Sequence, residues 1–533
     1  MLFDSFALRP RSLVVIVAST LVSSCGPTRP APSFVARCDH RTCAAGESIV
    51  ARDGSFECVV LGAKSPAATA RWPAVGAPLA TRRFVDPAAA AGGDGRTEAS
   101  AFVTIAQAIA DGATSIALAR GTHAVTTPLS AMAVQLLGAG SGTDGSVLRL
   151  DPGTSIQING ASELQSLRIE GGTTAAITTT SGTLSLREVV FDSVESAISA
   201  RDASIVAREV TVRRARGRAI NVAATAAGVA SSALDSVLVE DGAGPGIVFE
   251  GAGFTAERVS VRRQQRDGFA LVGAGFAAQG SLTDSSLACN GVTGLRVQGV
   301  GAQLDATRLY VAGTTAPAGT VGGDGVFAHD GARLSFDSAI ATPTDADQGR
   351  HSMVLDNERA GLLVDGRNAA GAPSSAELRI VGARVEGNGA SGLFLQRGAR
   401  ATLVGYSIFE RNRALGVGLT TGSEVVEFRC DIFRDARAGT LATTPPVDLG
   451  GDGLSAASST IGLVLMSRFD ENGRFAAVFT QSNVRMFVGN RGVNNGLSVG
   501  AYASMFVETG SDVRGGTPPS TPPVTARDSI TLR

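Results

Sequence analysis

The 533-residue sequence predicts an all-β chain wound as a parallel β-helix with three strands per coil. Three observations carry this expectation. A template of Asn-x-x-x-Gly-apolar-x-apolar recurs down the chain, apolar residues alternate in short runs without a helical period, and glycine is abundant beside ordinary proline (66 Gly, 20 Pro). A mean hydropathy of +0.17 argues against both a collagen and a disordered tail. The net charge of -1 excludes a general affinity for nucleic acid phosphates, which needs clustered basic charge. Lys64 is the sole lysine, so nearly all positive charge is arginine.

In chain order, Arg9 and Arg11 precede the apolar run Leu13-Val14-Val15-Ile16-Val17-Ala18, continued by Leu21-Val22. The run is too short to span a bilayer and suits the core of a signal peptide. It ends in Leu21-Val22-Ser23-Ser24-Cys25-Gly26, which resembles the lipobox of bacterial lipoproteins. That resemblance implies a signal peptide over residues 1–24, acylation of Cys25 (palmitate among the chains), and a membrane anchor made by an N-terminal lipid. With Gly26 rather than aspartate after the cysteine, it implies the outer membrane of the cell envelope rather than the inner one. No other run is long enough to span.

Residues 25–61 form a small cysteine-containing segment. In an oxidising compartment a disulfide between Cys58 and either Cys38 or Cys43 is expected. His40 lies between two of these cysteines, but Cys-x-His-x-x-Cys does not match a common zinc pattern. Cys289 and Cys430 fall inside repeats and read as small buried residues. Residues 62–82, rich in Ala and Pro, read as a tether holding the next domain away from the membrane.

The body, residues 83–510, is one repeat. Its clearest copies begin at Asn290, Asn357, Asn388 and Asn412, each followed four residues on by Gly294, Gly361, Gly392 or Gly416, and each preceded by an apolar residue three places before. From Gly246 to Gly453 the glycines are spaced 22, 26, 31, 36, 31, 24 and 37 residues apart. The bare repeat is therefore about 22–24 residues with insertions superimposed. Three short strands fill such a repeat, giving about thirteen coils and a rod of roughly 60 Å at about 4.8 Å per coil. Asn is expected to bond along the stack and to tolerate a left-handed backbone, and Gly to supply positive φ. The Leu-x-x-Leu-x-Leu pattern of leucine-rich repeats is absent. Residues 511–533, rich in Pro and Thr, read as a loose tail.

The start of the body carries Phe84-Val85-Asp86-Pro87, Gly92-Gly93-Asp94-Gly95, the run Ala101 to Ile109, and Ile116-Ala117-Leu118-Ala119-Arg120-Gly121-Thr122-His123. This series resembles the beginning of pectin-lyase-like right-handed parallel β-helix proteins: a strand, a capping helix, then a further strand. Thr104 and Gln107 make a capping box, and Ile105, Ala108 and Ile109 share the face that would plug the open end of the coil. The resemblance specifies fold rather than chemistry.

Many proteins of that fold cut or bind acidic polysaccharides. The Arg-x-Pro-x-x-Arg element of the pectate lyases, the Asp-Asp and Gly-His-Gly elements of the polygalacturonases and the Asp-Pro-His core of the alginate epimerases are all missing here. No catalytic residue carries over. Arg213-Arg214, Glu240-Asp241 and Arg262-Arg263 occupy one repeat position in successive coils, which predicts a ladder of alternating charge rather than an anion site. The remaining candidates are inserted loops. Residues 312–324 and 435–452 both end in Gly-Gly-Asp-Gly, at Asp324 and Asp452, and a third insertion holds Asp345, Asp347 and His351. Acidic Gly-rich loops invite calcium, although one Asp per loop is a thin ligand set and no cofactor is expected. The expected function is that of a non-catalytic binding or structural module with a glycan or protein partner. The alternative is a polysaccharide lyase or glycoside hydrolase with its site near Asp324, His351 and Asp452.

Overall fold

A computed structural model describes residues 43–44, 47–52, 55–64, 70–76, 79–228, 230–337, 352–367, 374–441, 447–449 and 451–518. Cys25, Cys38, His40, Asp345, Asp347 and His351 lie outside these residues, as does most of the tail. The chain divides into a short N-terminal unit, residues 1–33, and the body from Phe34 onward; the described residues all belong to the second.

The body is a right-handed parallel β-helix of about 15 turns, slightly more than the thirteen coils expected. At about 4.8 Å per turn it is roughly 70 Å long. Three faces recur in every coil. Face 1 begins with Arg82–Val85 and Ser115–Leu118, face 2 with Gly121–Val125 and Ser146–Leu150, and face 3 with Leu129–Met132 and Ile156–Asn159. Each strand pairs in parallel with its equivalent one coil on, as Leu295 with Val326, Val326 with Leu362 and Leu362 with Leu393. Face 2 extends to Asp512–Gly516, a little beyond the expected boundary at 510. Like therefore lies over like in the interior: Phe409, Phe433 and Phe469 stack with ring centroids 5.6 and 4.8 Å apart.

The corners explain the template, and they correct part of its reading. Between faces 2 and 3 the residue in left-handed conformation is the one before the Asn: Cys289 (φ 56), Asp356 (φ 48), Arg411 (φ 53) and Glu471 (φ 56). The Asn that follows is buried and uses its amide along the rod. Asn357 Nδ2 donates to Asn388 Oδ1 and Asn388 Nδ2 to Asn412 Oδ1, both at 2.9 Å. Nor does the template glycine have positive φ. A Cβ at Gly361 would stand 2.7 Å from Asn388 Nδ2 and 2.7 Å from Gly392 O, so the glycine makes room for the asparagine of the next coil. The corner between faces 1 and 2 repeats the device with hydroxyl and carboxyl oxygens, as where Ala383 N donates to Ser407 Oγ and Ser407 N to Asp431 Oδ1.

The first coil is closed by helix α1, Ile105–Ala110, with Thr104 and Gln107 forming the expected reciprocal capping box. Ile105 and Ala108 are buried, and Ile109 packs against the core. Upstream, strands β1 (Glu47–Arg52) and β2 (Ser55–Val60) form an antiparallel hairpin closed by a Cys43–Cys58 disulfide, one of the two pairings anticipated for Cys58. The hairpin lies on face 2, where Ile49 packs with Ala288, Tyr310, Ala312, Met353 and Leu355. The expected tether follows the rod over its described residues. Gly62 N bonds to Ser236 O, and Trp72 packs edge-on against Phe84 at 5.3 Å. An apolar ring and backbone groups that can be paired on the rod gain more there than in solvent. Cys289 is also corrected: it is half-buried and disulfide-bonded, because its left-handed corner turns the side chain outward beneath the hairpin. Cys430, at a left-handed corner between faces 1 and 2, is half-buried.

Candidate functional site

The two inserted loops leave the same corner, between faces 2 and 3. One lies between Ala302–Ala312 and Asp324–His329, the other between Ile432–Arg434 and Asp452–Ala457. Four coils, about 19 Å, separate their ends. The third insertion leaves the corner between faces 1 and 2, after Arg333–Phe336. The three do not converge from one corner.

Asp324 and Asp452 are not loop ligands. Both begin face 3 strands and are buried, 1% and 0% exposed. Asp324 Oδ1 accepts from Arg359 Nε at 2.8 Å and from Ala360 N at 3.1 Å. Asp452 Oδ1 accepts from Arg474 Nε at 2.7 Å and from Phe475 N at 3.2 Å. Each carboxylate thus staples its coil to the next. Calcium demands six to eight oxygens around one point, so a single buried Asp already filled by a guanidinium does not fit it. The one group of potential ligands among the described residues, Cys43, Glu47 and Cys58, includes two sulfurs joined in the disulfide.

The arginine patch is the ladder its spacing predicts. Arg213 pairs in register with Glu240, and Glu240 with Arg262. Arg262 Nη2 bonds Glu240 at 2.9 Å, and Arg213 Nε bonds Asp192 at 2.9 Å. Burial pulls the Asp192 carboxyl upward, but the Arg214 hydrogen bond and the charges of Arg213 and Arg168 outweigh it and hold the group below its usual value. A cavity of about 650 Å³ between this ladder and the hairpin is lined by both signs of charge, including Lys64, Arg263, Glu240 and Asp241.

Face 3 carries a group that the sequence reading passed over. Gln298, His329, Asp365 and Gln396 follow one another in register on consecutive coils. Asp330 and Arg397 sit beside them at left-handed corners (φ 58 and 56). His329 stacks on Phe327 with centroids 4.2 Å apart, and its Nδ1 lies 3.1 Å from Asp330 Oδ2. Gln298 Nε2 donates to the same oxygen at 2.9 Å, and Arg397 Nε donates to Asp365 at 2.8 Å. Burial pushes the His329 imidazole below its ordinary value; Asp330 opposes this, and Arg296 and Arg397 reinforce it. The ring is therefore neutral near pH 7. Its Nε2, and Asp330 Oδ1, are buried with no hydrogen-bond partner. The signal was present in the template: each of Gln298, Asp365 and Gln396 directly follows the Gly-Leu-x-apolar stretch.

No family model matches the chain, and no curated protein matches it. Among solved structures, it is similar to the catalytic domain of a GH87 α-1,3-glucanase in complex with tetrasaccharides, at a TM-score of 0.34 and 11% identity over 82% of this chain and 70% of that one. It is similar to the periplasmic alginate epimerase AlgG, at 0.32 and 11% over 72% of this chain and 79% of that one. The A-module of the Azotobacter vinelandii mannuronan C-5 epimerase AlgE6 scores 0.27 at 14% identity, covering 77% and 93%.

Proposed function

We propose that this chain is a lipid-anchored rod of the cell envelope, held in the outer membrane through Cys25, which binds a glycan without chemically altering it. One observation supports the non-catalytic reading. The carboxylates of Asp324, Asp365 and Asp452 are each bound by an arginine of a neighbouring coil. Glycoside hydrolysis asks for two carboxyl groups facing one substrate in different protonation states, with neither locked in such a pair. A face of planar polar side chains on a rigid scaffold suits recognition of hydroxyl-rich chains. The anchor is tested by metabolic palmitate labelling, which Cys25→Ser abolishes if the reading holds.

A polysaccharide lyase or hydrolase is the second reading, and His329 is what favours it. A neutral imidazole oriented by a carboxylate, with Nε2 unoccupied, has the arrangement of a general base. Incubation with neutral and uronate polysaccharides separates the two readings. The binding module releases neither unsaturated products nor new reducing ends. Product formation that His329→Gln removes would establish the enzyme.

A further inference from the structure

We infer that the face 3 row Gln298–His329–Asp365–Gln396, with Asp330 beside it, is a subsite for a neutral glycan chain lying along the rod, one sugar unit to each coil. The inference rests on the glycan reading above and adds the place and the class of ligand.

The hydrogen-bond inventory sets the class. Because a carboxylate only accepts, the contact between His329 Nδ1 and Asp330 Oδ2 places the imidazole proton on Nδ1. Nε2 is then an acceptor, and Asp330 Oδ1 is another. A buried acceptor without a donor is costly, and a ligand bringing donors relieves that cost. The missing partner must therefore donate twice, as adjacent sugar hydroxyls do. A phosphate brings acceptors and fits badly; a uronate carries the same hydroxyls but sets its own carboxylate beside those of Asp330 and Asp365. A cation fits badly as well: burial is the main cause that disfavours positive charge at His329, and against Asp330 the charges of Arg296 and Arg397 add to it.

The stacking sets the direction. Gln298, His329, Asp365 and Gln396 follow at one coil each, about 4.8 Å, close to the repeat of one pyranose in an extended chain. Phe327, stacked on His329, brings an aromatic surface to the same row. The side chains of Arg296 and Arg397 flank the row and are each 30% exposed. Each is tied by its guanidinium, Arg296 to Asp267 and Gln298, and Arg397 to Asp365. The inference requires these two long side chains to swing aside as the ligand enters.

Calorimetric titration of the full chain with cellotetraose, glucose, tetragalacturonate and zinc tests this. Cellotetraose is expected to bind, glucose at least tenfold more weakly. Asp330→Asn, which suits a left-handed corner, and His329→Phe, which keeps the stack on Phe327, should each weaken cellotetraose at least tenfold with the melting temperature retained. Equal binding by wild type and both folded variants overturns the subsite and leaves the glycan reading standing. Binding of tetragalacturonate alone, unmoved by either variant, does the same. Zinc binding lost in both variants makes the row a cation site and overturns the inference. If no saccharide binds, both the subsite and the glycan reading fail, and a trapped water is what satisfies the two acceptors.

Discussion

At the scale of single residues, the fold depends on a few atoms meeting across coils. Gly392 is required by its neighbour: a Cβ there would stand 2.5 Å from Gly416 O and 2.7 Å from Asn412 Nδ2. Gly392→Ala should therefore cost about 3 kcal/mol, the upper range for overpacking. Gly422 has positive φ (74) and nothing within 4 Å, so Gly422→Ala should cost only about 1 kcal/mol. Urea unfolding of the two variants checks the difference. Asp431 is a second test. It occupies a ladder position held elsewhere by Ser407, Ser467 and Asn490, and burial pushes its carboxyl well above the usual range. Its folded value exceeds its unfolded one, so its contribution is whole below about pH 4 and is lost as pH rises through the folded value. Asp431→Asn should stabilise the protein by about 1–3 kcal/mol at pH 8 and much less at pH 4. Thermal melts at both pH values read this out.

At the scale of elements, coils are joined by more than their ladders of backbone bonds. The buried pairs Asp324–Arg359 and Asp452–Arg474 each bridge two successive face 3 strands. Burial pulls the Arg359 guanidinium downward, and Asp324 outweighs that and raises it above its ordinary value. Arg359→Ala strands a carboxylate in the interior and should cost about 3–5 kcal/mol. Asp324→Asn with Arg359→Gln should recover part of that, and added calcium should leave the melting temperature of either variant unmoved. The sequence placed both aspartates at equivalent turns, because Gly-Gly-Asp-Gly repeats. It did not show that each faces an arginine 35 or 22 residues later: an insertion lengthens the first separation, and the second, one bare repeat, becomes a contact only through the stacking of the coils. The charge ladder was legible for the opposite reason: Arg213, Glu240 and Arg262 are joined by coils with no shift of register.

At the scale of the whole molecule, a rod built from stacked coils has two ends, and each end offers an unpaired row of backbone groups. At the first coil, Arg82–Val85 pairs along one edge with Ser115–Leu118, and α1 packs against it. Ile105 is 4% exposed in that plug. Ile105→Asp should lift the helix and expose the end, so that the variant associates with rising concentration. Sedimentation velocity should show the wild type unchanged over the same range.

Period, strand alternation, the capping box and the asparagine ladder were determined by the sequence itself. They are local patterns repeated at a nearly constant interval, and stacking turns such a pattern into contacts without further information. What only the tertiary structure decided lies where that interval is broken or where the chain returns on itself. The hairpin lies across face 2 more than two hundred residues from its partners Ala288 and Tyr310. Asp324 turns inward to an arginine beyond an insertion. Gln298, His329 and Asp365, separated by insertions of unequal length, come into one line. In each case the deciding quantity is a distance in space between residues whose sequence separation carries no period.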